Sequence, residues 1–447
     1  MPNSIRTAPW AAAASVFTSV CACICAGPAL AADATEEAYG VHGQATYVWQ
    51  TKPAFSSAYD GPNSLQAARE KSYSFTATAA AGGRLWRGGE AYLNGELVQG
   101  VPLSGLTGLG GLSNGELQKT AGSHPVLYRA RAFLRQSWAL DGGSETLAPG
   151  FNQLGGQQAR RRVVLSVGNL AVSDLFDNNR YAHDARTQFL NWALLTHGHF
   201  DFAADSRGYT QGAALEWITP DWALRGGRFA VPVESNGLAL DNHFGKHHGD
   251  QLEFEHHHQL AGREGAVRLL FFRNVARMAN FDEALALAAA SGTVPDLAPA
   301  RRLQSKSGWG VAAEQALSAD LGGFVRLGRH DGKTEPYSFA AIDEHGSVGF
   351  VWHGTGWGRA EDQLGLAFAR NGLSTPHRRF LAAGGSDFFL GDGRLRYGAE
   401  RILEASYSAA LTPLVRLSLN LQHINNPGYN RDRGPVQLVA LRMHVER

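Results

Sequence analysis

Residues 415–422 have the sequence Val-Arg-Leu-Ser-Leu-Asn-Leu-Gln, in which apolar and polar side chains alternate without exception. Residues 72–79, Ser-Tyr-Ser-Phe-Thr-Ala-Thr-Ala, alternate between hydroxyl-bearing and apolar side chains in the same way. Successive side chains of a β-strand point to opposite faces, so each stretch predicts a strand with one apolar and one polar face. The pattern indicates either a soluble β-sandwich with an apolar core or a transmembrane barrel with an apolar outer surface.

The alternating segments are also long. They cover residues 84–99, 126–139, 305–317 and 400–410. A tilted transmembrane strand needs about 9–11 residues to cross the bilayer, whereas strands of globular proteins usually have about five or six. The length of the segments therefore favours the transmembrane barrel.

The connections between the segments alternate between short and long. Short ones are expected near residues 81–83, 219–221, 260–264, 318–321 and 411–412, and long ones over residues 51–70, 100–125, 170–208, 231–249, 275–302 and 371–397. Short periplasmic turns opposite long extracellular loops are typical of bacterial outer-membrane barrels. The connection over residues 140–158 is the exception, because it falls where a short turn is expected.

The number of segments predicts how the sheet closes. About sixteen strands are expected, the first near residues 44–50 and the last near residues 436–446. Trp217 and Trp222 on either side of a short turn fit an aromatic girdle at a membrane interface. An even number of strands closes an antiparallel barrel, and about sixteen leave an aqueous lumen. The predicted fold class is an all-β transmembrane antiparallel barrel.

The N-terminal segment predicts export. Arg6 precedes an apolar stretch from residue 10 to about residue 25, and Ala29-Leu30-Ala31 follows as a small-x-small site, as in a secretory signal peptide over residues 1–31. Residues 32–447 would then form one barrel domain without cysteine, because all 3 cysteines lie in the removed segment. The mature chain has 40 basic residues (41 less Arg6) against 40 acidic ones, which gives no support for nucleic-acid binding.

One predicted strand carries several arginines. Arg129, Arg131 and Arg135 are expected to share a face with Phe133, while apolar residues occupy the other face. Arginine facing lipid costs about 2–4 kcal/mol at the bilayer midplane, so the lumen is the favourable side. The three guanidinium groups would form a basic wall that binds sugar hydroxyls or attracts anions. The alternative is a solvated wall without a role in selectivity.

Further charged residues are expected to face the pore. The candidates are Glu96, Arg228 and Arg416, with Glu216, Glu253, Glu314, Arg326, Glu404 and Arg442 as additional inward positions. Both signs of charge occur, which suits a neutral hydroxylated solute better than an ion. The longest loop, residues 170–208, is expected to contain a short helix over residues 187–193. If that loop folds inward, Trp192 or Phe189 would offer an aromatic face to a sugar ring; the alternative places the helix on the outer rim.

Two stretches resemble sites of other chemistry. Residues 247–258 are rich in histidine, but neighbours in a strand such as His257 and His258 point to opposite faces, and no ordered ligand spacing supports zinc. The glycine-rich residues 103–111 lack the Lys-Ser/Thr ending and the helix of a phosphate-binding loop. Neither a metal nor a cofactor is expected, and the glycine-rich stretch is interpreted as a flexible extracellular loop.

Several blocks of the chain resemble the OprB-type family of carbohydrate-selective porins. They are residues 44–50 (QATYVWQ), 59–65 (YDGPNSL), 98–105 (VQGVPLSG), 181–184 (YAHD), 226–229 (GGRF) and 422–430 (QHINNPGYN). The resemblance runs through nearly all of the chain that follows the signal peptide. It implies a sixteen-stranded pore, passive uptake of glucose-like sugars, often a trimer, and a constriction rich in arginine and acidic residues. This last feature is carried over to Arg129, Arg131 and Glu96.

The leading hypothesis is therefore an outer-membrane porin of a Gram-negative bacterium, with small sugars and outer-membrane lipid as partners and a homotrimer as a possible assembly. A general or anion-preferring pore is the first alternative, favoured if arginines dominate the constriction. An outer-membrane barrel enzyme, a lipase or deacylase, is the alternative from another class. It would need fewer strands, a filled lumen and a Ser-His pair on the outer wall.

Overall fold

The computed structural model describes residues 36–447, in which sixteen antiparallel strands close into one barrel. The predicted signal peptide lies outside the described residues. The barrel strands are β1 (Tyr39–Lys52), β2 (Glu70–Trp86), β3 (Gly89–Val101), β4 (Val126–Ala139), β5 (Arg162–Leu170), β6 (Thr210–Ile218), β7 (Trp222–Phe229), β8 (His248–Leu260), β9 (Arg263–Ala279), β10 (Arg301–Ala316), β11 (Leu321–His330), β12 (Glu344–Gly354), β13 (Arg359–Gly372), β14 (Glu400–Ala410), β15 (Val415–Asn425) and β16 (Val436–Glu446).

Each strand pairs with its neighbours in sequence, and the first pairs with the last. In the closing pair, Gln44 lies opposite Glu446 and Thr51 opposite Val439. The predicted fold class is confirmed, and β14 and β16 begin and end where the sequence places them. The apolar–polar alternation is also confirmed, because Leu417, Leu419 and Leu421 of β15 are exposed on the outer wall while the polar residues between them are buried inside.

The first hairpin differs from the prediction. Residues 81–83 lie inside β2, and the chain turns at residues 87–88, so residues 84–99 do not form one strand. β2 and β3 pair through the small residues Ala79, Ala80 and Gly82, which look like turn residues in the sequence but fit a strand here. The local composition predicted the turn in the wrong place. The position of the turn is determined by the thirteen cross-strand pairs between β2 and β3, and residues 81–83 are part of that pairing.

The connection over residues 140–158 forms a small structure of its own. Ser144–Leu147 pairs with Gly156–Ala159 in a two-stranded hairpin at the end of the barrel where the short turns lie. The backbone N–H of Glu37 donates to the carbonyl of Gly155, which holds this hairpin against the start of β1. The hairpin explains why one of the short connections is long. By the rule for bacterial barrels, this end faces the periplasm and the long-loop end faces outward.

The loop between β5 and β6, residues 171–209, is called the inward loop here because it fills part of the barrel. Its aromatic side chains pack on aromatic side chains of the wall, with Phe189 5.8 Å from Phe324 and Phe200 5.3 Å from Phe272 between ring centroids. Its helix, α1, covers Trp192–Leu195, so only the last two residues of the predicted stretch 187–193 are helical. The inward position, one of the two alternatives left by the sequence, is the one that forms.

Two further helices lie in the outer loops, α2 (Phe281–Ser291) and α3 (Thr375–Ala382). Within residues 36–447, no helix has the length and apolar character needed to cross a membrane. A buried cluster joins the two helices, in which His377 stacks on Phe281 at 4.3 Å and lies between Asp343 and Asp387. Burial lowers the pKa of His377, but the two carboxylates outweigh it and raise that pKa to about 9.

Candidate pore lining

A cavity of about 1310 Å³ occupies the lumen on the side of the short turns. Residues of the small hairpin, such as Phe151 and Gln157, line its lower part. The inward loop and the loop between β3 and β4 bound its upper part through Trp192, Leu195 and Glu116. The cavity is large enough to hold a small sugar, because ligand pockets of about 300–1,000 Å³ enclose drug-sized molecules.

The arginine ladder of β4 is interrupted by a β-bulge. Gly95 of β3 lies opposite Arg129 and Asn94 lies opposite Arg131, so Ala130 is the extra residue on β4. A bulge shifts the alternation of side chains by one position. Arg129 consequently lies on the outer wall, in an outward groove of about 550 Å³ that Arg228 also lines. The expectation that Arg129 shares a face with Arg131 is therefore wrong.

Arg131 and Arg135 do line the lumen. Arg131 makes a bidentate ion pair with Asp174 of the inward loop, at 2.7 and 2.6 Å, and its guanidinium lies 5.1 Å from the centre of the Tyr209 ring. Arg135 donates to the carbonyl of Asn152 in the small hairpin at 2.8 Å. These two guanidinium groups lie at two heights of the cavity wall, and both remain partly exposed to it.

Arg186 of the inward loop brings two carboxylates together at the top of the cavity. Its Nε donates to Glu116 at 2.8 Å and a terminal nitrogen donates to Glu96 at 3.3 Å. Glu96 also accepts hydrogen bonds from the hydroxyls of Tyr128 and Tyr209. Burial raises the pKa of Glu116 even though Arg186 opposes that shift. Glu96, predicted to line the pore, is itself buried and contacts Arg186, which reaches the cavity.

Several buried charges of the wall hold the inward loop in place. Arg326 of β11 pairs with Asp177 at 2.9 Å and donates to the carbonyls of Leu194 and Ala182 at 3.0 and 2.7 Å. Burial would raise the pKa of Asp177, but Arg326 and neighbouring hydrogen-bond donors hold it well below its ordinary value. Both side chains are almost completely buried, so this pair anchors the loop and is out of reach of a solute.

Residues of β14 and β16 anchor the loop in the same way. The backbone N–H groups of Leu190 and Asn191 donate to the carboxylate of Glu404 at 2.7 and 2.9 Å. Arg442 of β16 donates to the carbonyls of Ala185 and Gln188 at 2.6 and 2.8 Å. Paired buried charges of this kind satisfy backbone groups that would otherwise lie unbonded inside the barrel.

The remaining predicted residues lie in different places. Trp192 lines the cavity, with one face of its indole stacked on Phe339 at 5.0 Å and 16°. Arg416 faces inward at the short-turn end, where it donates to the carbonyl of Glu361. Arg228 lies on the outer wall in a bidentate pair with Asp250 at 2.7 and 2.9 Å, so its expected place in the pore is wrong.

Arg228 was misplaced because the alternation near the end of β7 is ambiguous from sequence. Gly226 and Gly227 precede it and carry no side chain that would mark the two faces. Asp250 of β8 lies directly opposite and neutralises the guanidinium on the outer wall. This ion pair lowers the free-energy cost of placing an arginine against lipid, and that cost was the reason for predicting a position in the lumen.

Sequence reasoning missed several residues of the lining. Arg162 and Arg225 on strands, together with Asp174, His183 and Arg186 on the inward loop, all reach the cavity. The length of the loop and the family-like block of residues 181–184 pointed toward this loop, but its charged residues carried no periodic signal that would mark them as lining. Among residues 36–447, no group of three or more histidine, cysteine or acidic side chains is placed to hold a metal ion.

A closed sixteen-stranded barrel with an apolar outer wall and a charged, water-accessible cavity inside defines an outer-membrane channel protein, a porin. The family model described as "Carbohydrate-selective porin, OprB family" matches residues 63–446. The chain belongs to this family, and it is a sugar-channel porin of the outer membrane. Membership of a porin family decides against the barrel-enzyme alternative. No curated protein matches this chain significantly.

Solved structures agree on the fold. The high-pH structure of Pseudomonas putida OprB is 16% identical, covers 99% of this chain and 98% of its own, and has a TM-score of 0.71. The low-pH structure of the same protein is 14% identical over 99% and 98%, with a TM-score of 0.48. Acinetobacter baumannii OccAB1 is 8% identical over 91% and 96%, with a TM-score of 0.47. Of these three structures, only the first has a TM-score above 0.5, so the comparison of folds rests on that structure.

Proposed function

We propose that this porin passes small, neutral, glucose-like sugars by passive diffusion, with Arg131, Arg135 and Arg186 as the principal donors to sugar hydroxyls. One observation carries the proposal: the cavity is lined by seven arginines and seven carboxylates. Balanced fixed charges give many hydrogen-bond donors and acceptors without a net field that would select one sign of ion. The same balance argues against the anion-preferring alternative.

The proposed mechanism uses groups that are already held in place. Arg131 is fixed by Asp174 and Arg186 by Glu116, so each guanidinium keeps free N–H groups at a defined position on the cavity side. Trp192 adds an apolar face near these donors. A sugar presents hydroxyls at its edge and C–H groups on its face, and a wall of fixed donors with one aromatic ring suits both.

Single-channel conductance in planar bilayers tests this proposal, with and without added glucose. Wild-type current should fall as glucose occupies the lumen. Arg131→Ala should raise the conductance and weaken the glucose block by roughly an order of magnitude, as expected for losing a hydrogen bond to a charged donor worth about 1.5 kcal/mol.

Arg129→Ala is the matched control, because the bulge places this residue two positions away on the outer wall. The control should conduct and bind glucose as the wild type does. A glucose block that is the same in the wild type, Arg131→Ala and Arg129→Ala would place Arg131 outside the solute path and refute its proposed role.

Two further proposals rest on the sequence. Removal of residues 1–31 would leave a mature chain of residues 32–447, which the intact mass of protein isolated from outer membranes tests directly. A homotrimer, implied by the family resemblance, is tested by light scattering of the protein in detergent. A mass of one chain per particle would contradict it.

A further inference from the structure

The outer wall of the barrel carries a group of arginines at its long-loop end. This arginine belt consists of Arg273 and Arg277 on β9, Arg329 on β11, Arg370 on β13 and Arg401 on β14, and all five are exposed. Each lies within seven residues of the end of its strand that adjoins a long loop. The belt therefore lies at the level where the outward-facing leaflet ends.

The arginines share a face with the side chains that meet lipid. Phe271 precedes Arg273 by two positions and is 53% exposed, and Leu327 precedes Arg329 by two and is 56% exposed. Residues two apart in a strand point the same way. The large apolar side chains of the outer wall and the belt are thus continuous, with the charges at the rim.

The five guanidinium groups make no ion pair or hydrogen bond with any of the described residues. This contrasts with the lumen, where Arg131 and Arg186 each have a carboxylate partner. It also contrasts with Arg228 on the same outer wall, which is paired with Asp250. Within the belt, Asp250 lies opposite Arg273 and Glu344 opposite Arg329 in the register, although neither pair is within ion-pair distance. Arg370 and Arg401 have no carboxylate opposite them, because their cross-strand partners are Gly346, Asn425 and each other.

Two of the belt residues face each other directly. Arg370 of β13 and Arg401 of β14 are cross-strand partners in the barrel register. Like charges directly opposite each other destabilise a sheet. An anion between them would reverse that effect, because guanidinium groups bind phosphate oxygens in bidentate pairs.

We propose that the arginine belt binds phosphate-bearing lipids of the outward-facing leaflet, with Arg370 and Arg401 forming a two-arginine clamp for one phosphate group. The acyl chains of such a lipid would lie along the exposed apolar side chains below, including Phe368 and Leu403. Anionic headgroups attract basic residues at a membrane surface, and each arginine strengthens binding about fivefold. Lipid binding at this site does not depend on which solute the pore conducts.

Native mass spectrometry of the full chain tests the clamp. The protein is released from detergent micelles that contain equal amounts of phosphatidic acid and phosphatidylcholine with the same acyl chains. The wild type should retain phosphatidic acid in preference to phosphatidylcholine. In the double variant R370Q/R401Q the ratio of retained phosphatidic acid to retained phosphatidylcholine should fall roughly 30-fold, as expected for the loss of two arginines. R370K/R401K, which keeps both charges, should retain most of it.

Arg263→Gln is the matched control. Arg263 is exposed and begins β9 at the short-turn end, on the same strand as Arg273 but at the opposite rim. It should leave lipid retention unchanged, and migration on a gel before and after heating shows that each variant is folded. An unchanged lipid preference in R370Q/R401Q would overturn the proposal, and so would an equal loss in Arg263→Gln. Loss of an oligomer from R370Q/R401Q without a change in retained lipid would assign the face to a second copy of the chain instead.

Discussion

Because buried ion pairs anchor the inward loop, a substitution far from the solute path is expected to change the conductance of the pore. Asp177→Asn removes the negative charge that neutralises Arg326 inside the barrel. The carboxylate accepts from Arg326 at 2.9 Å and from the hydroxyl of Thr196 at 2.7 Å, and it also accepts from the backbone N–H of His197. In the variant, the guanidinium of Arg326 stays buried without a counter-charge.

The size of the effect follows from the burial of this pair. The two side chains are 0% and 2% exposed, and removing one partner of such a buried pair costs about 3–5 kcal/mol. Because every 1.4 kcal/mol is a factor of about ten, the displaced state of the loop should gain about two to three and a half orders of magnitude in population relative to the packed state. The sixteen-stranded frame should persist, since its ladder of backbone hydrogen bonds is untouched.

Two measurements detect the displaced loop. Single-channel conductance should rise and become noisier, because the loop no longer fills part of the lumen. Trypsin should cut at Arg186 or Arg207 of the loop, which the packed wild type protects. Asp221→Asn is the control, since Asp221 lies exposed in a short turn. Wild-type conductance together with full protection in Asp177→Asn would refute the view that this pair fixes the loop.

Three further outcomes follow from the same structure. Gly322→Ala should displace the loop in a similar way, because a Cβ at this position would lie 2.0 Å from the ring of Tyr181; a wild-type conductance would contradict this. Trp192→Ala should weaken the glucose block about two- to tenfold if the indole contacts the sugar, as a titration of the block would show. His377 has a pKa raised from 6.5 to about 9, so its contribution of about 3 kcal/mol is complete below pH 6.5 and is lost as the pH rises through 9. After correction for the intrinsic rise of the exchange rate with pH, hydrogen exchange of residues 373–399 should show falling protection across that range in the wild type, and His377→Gln should abolish this change in protection.

The frame of the barrel could be predicted because a strand repeats every two residues. The apolar face of β15 and the polar face opposite it follow from the order of residues 415–422 alone. Every strand that crosses the bilayer needs an apolar outer face, so the same alternation recurs in each strand. The number of strands can therefore be predicted by counting the alternating segments, even where a single segment is ambiguous. Turn positions are less secure, as the hairpin of β2 and β3 shows, because small residues such as Ala79–Gly83 are compatible with either a strand or a turn.

The lining could be predicted only in part. The alternation of residues correctly predicted that Arg131 and Arg135 face the lumen. The bulge at Ala130 places Arg129 on the opposite face of β4, and nothing in the local sequence marks that bulge. Arg186 escaped prediction for another reason. It lies on a loop without periodicity, and contacts with distant strands fix its position. Long-range pairing of charges, unlike alternation, leaves no regular trace in the sequence.

Liposome swelling in sugars of increasing size tests the central claim most directly. Proteoliposomes should swell fastest in a monosaccharide such as glucose and more slowly in a disaccharide and a trisaccharide, because the inward loop narrows a lumen that would otherwise be wide. Swelling no faster than that of protein-free liposomes in glucose, or equal swelling across the whole series, would contradict a sugar-conducting lumen narrowed by this loop.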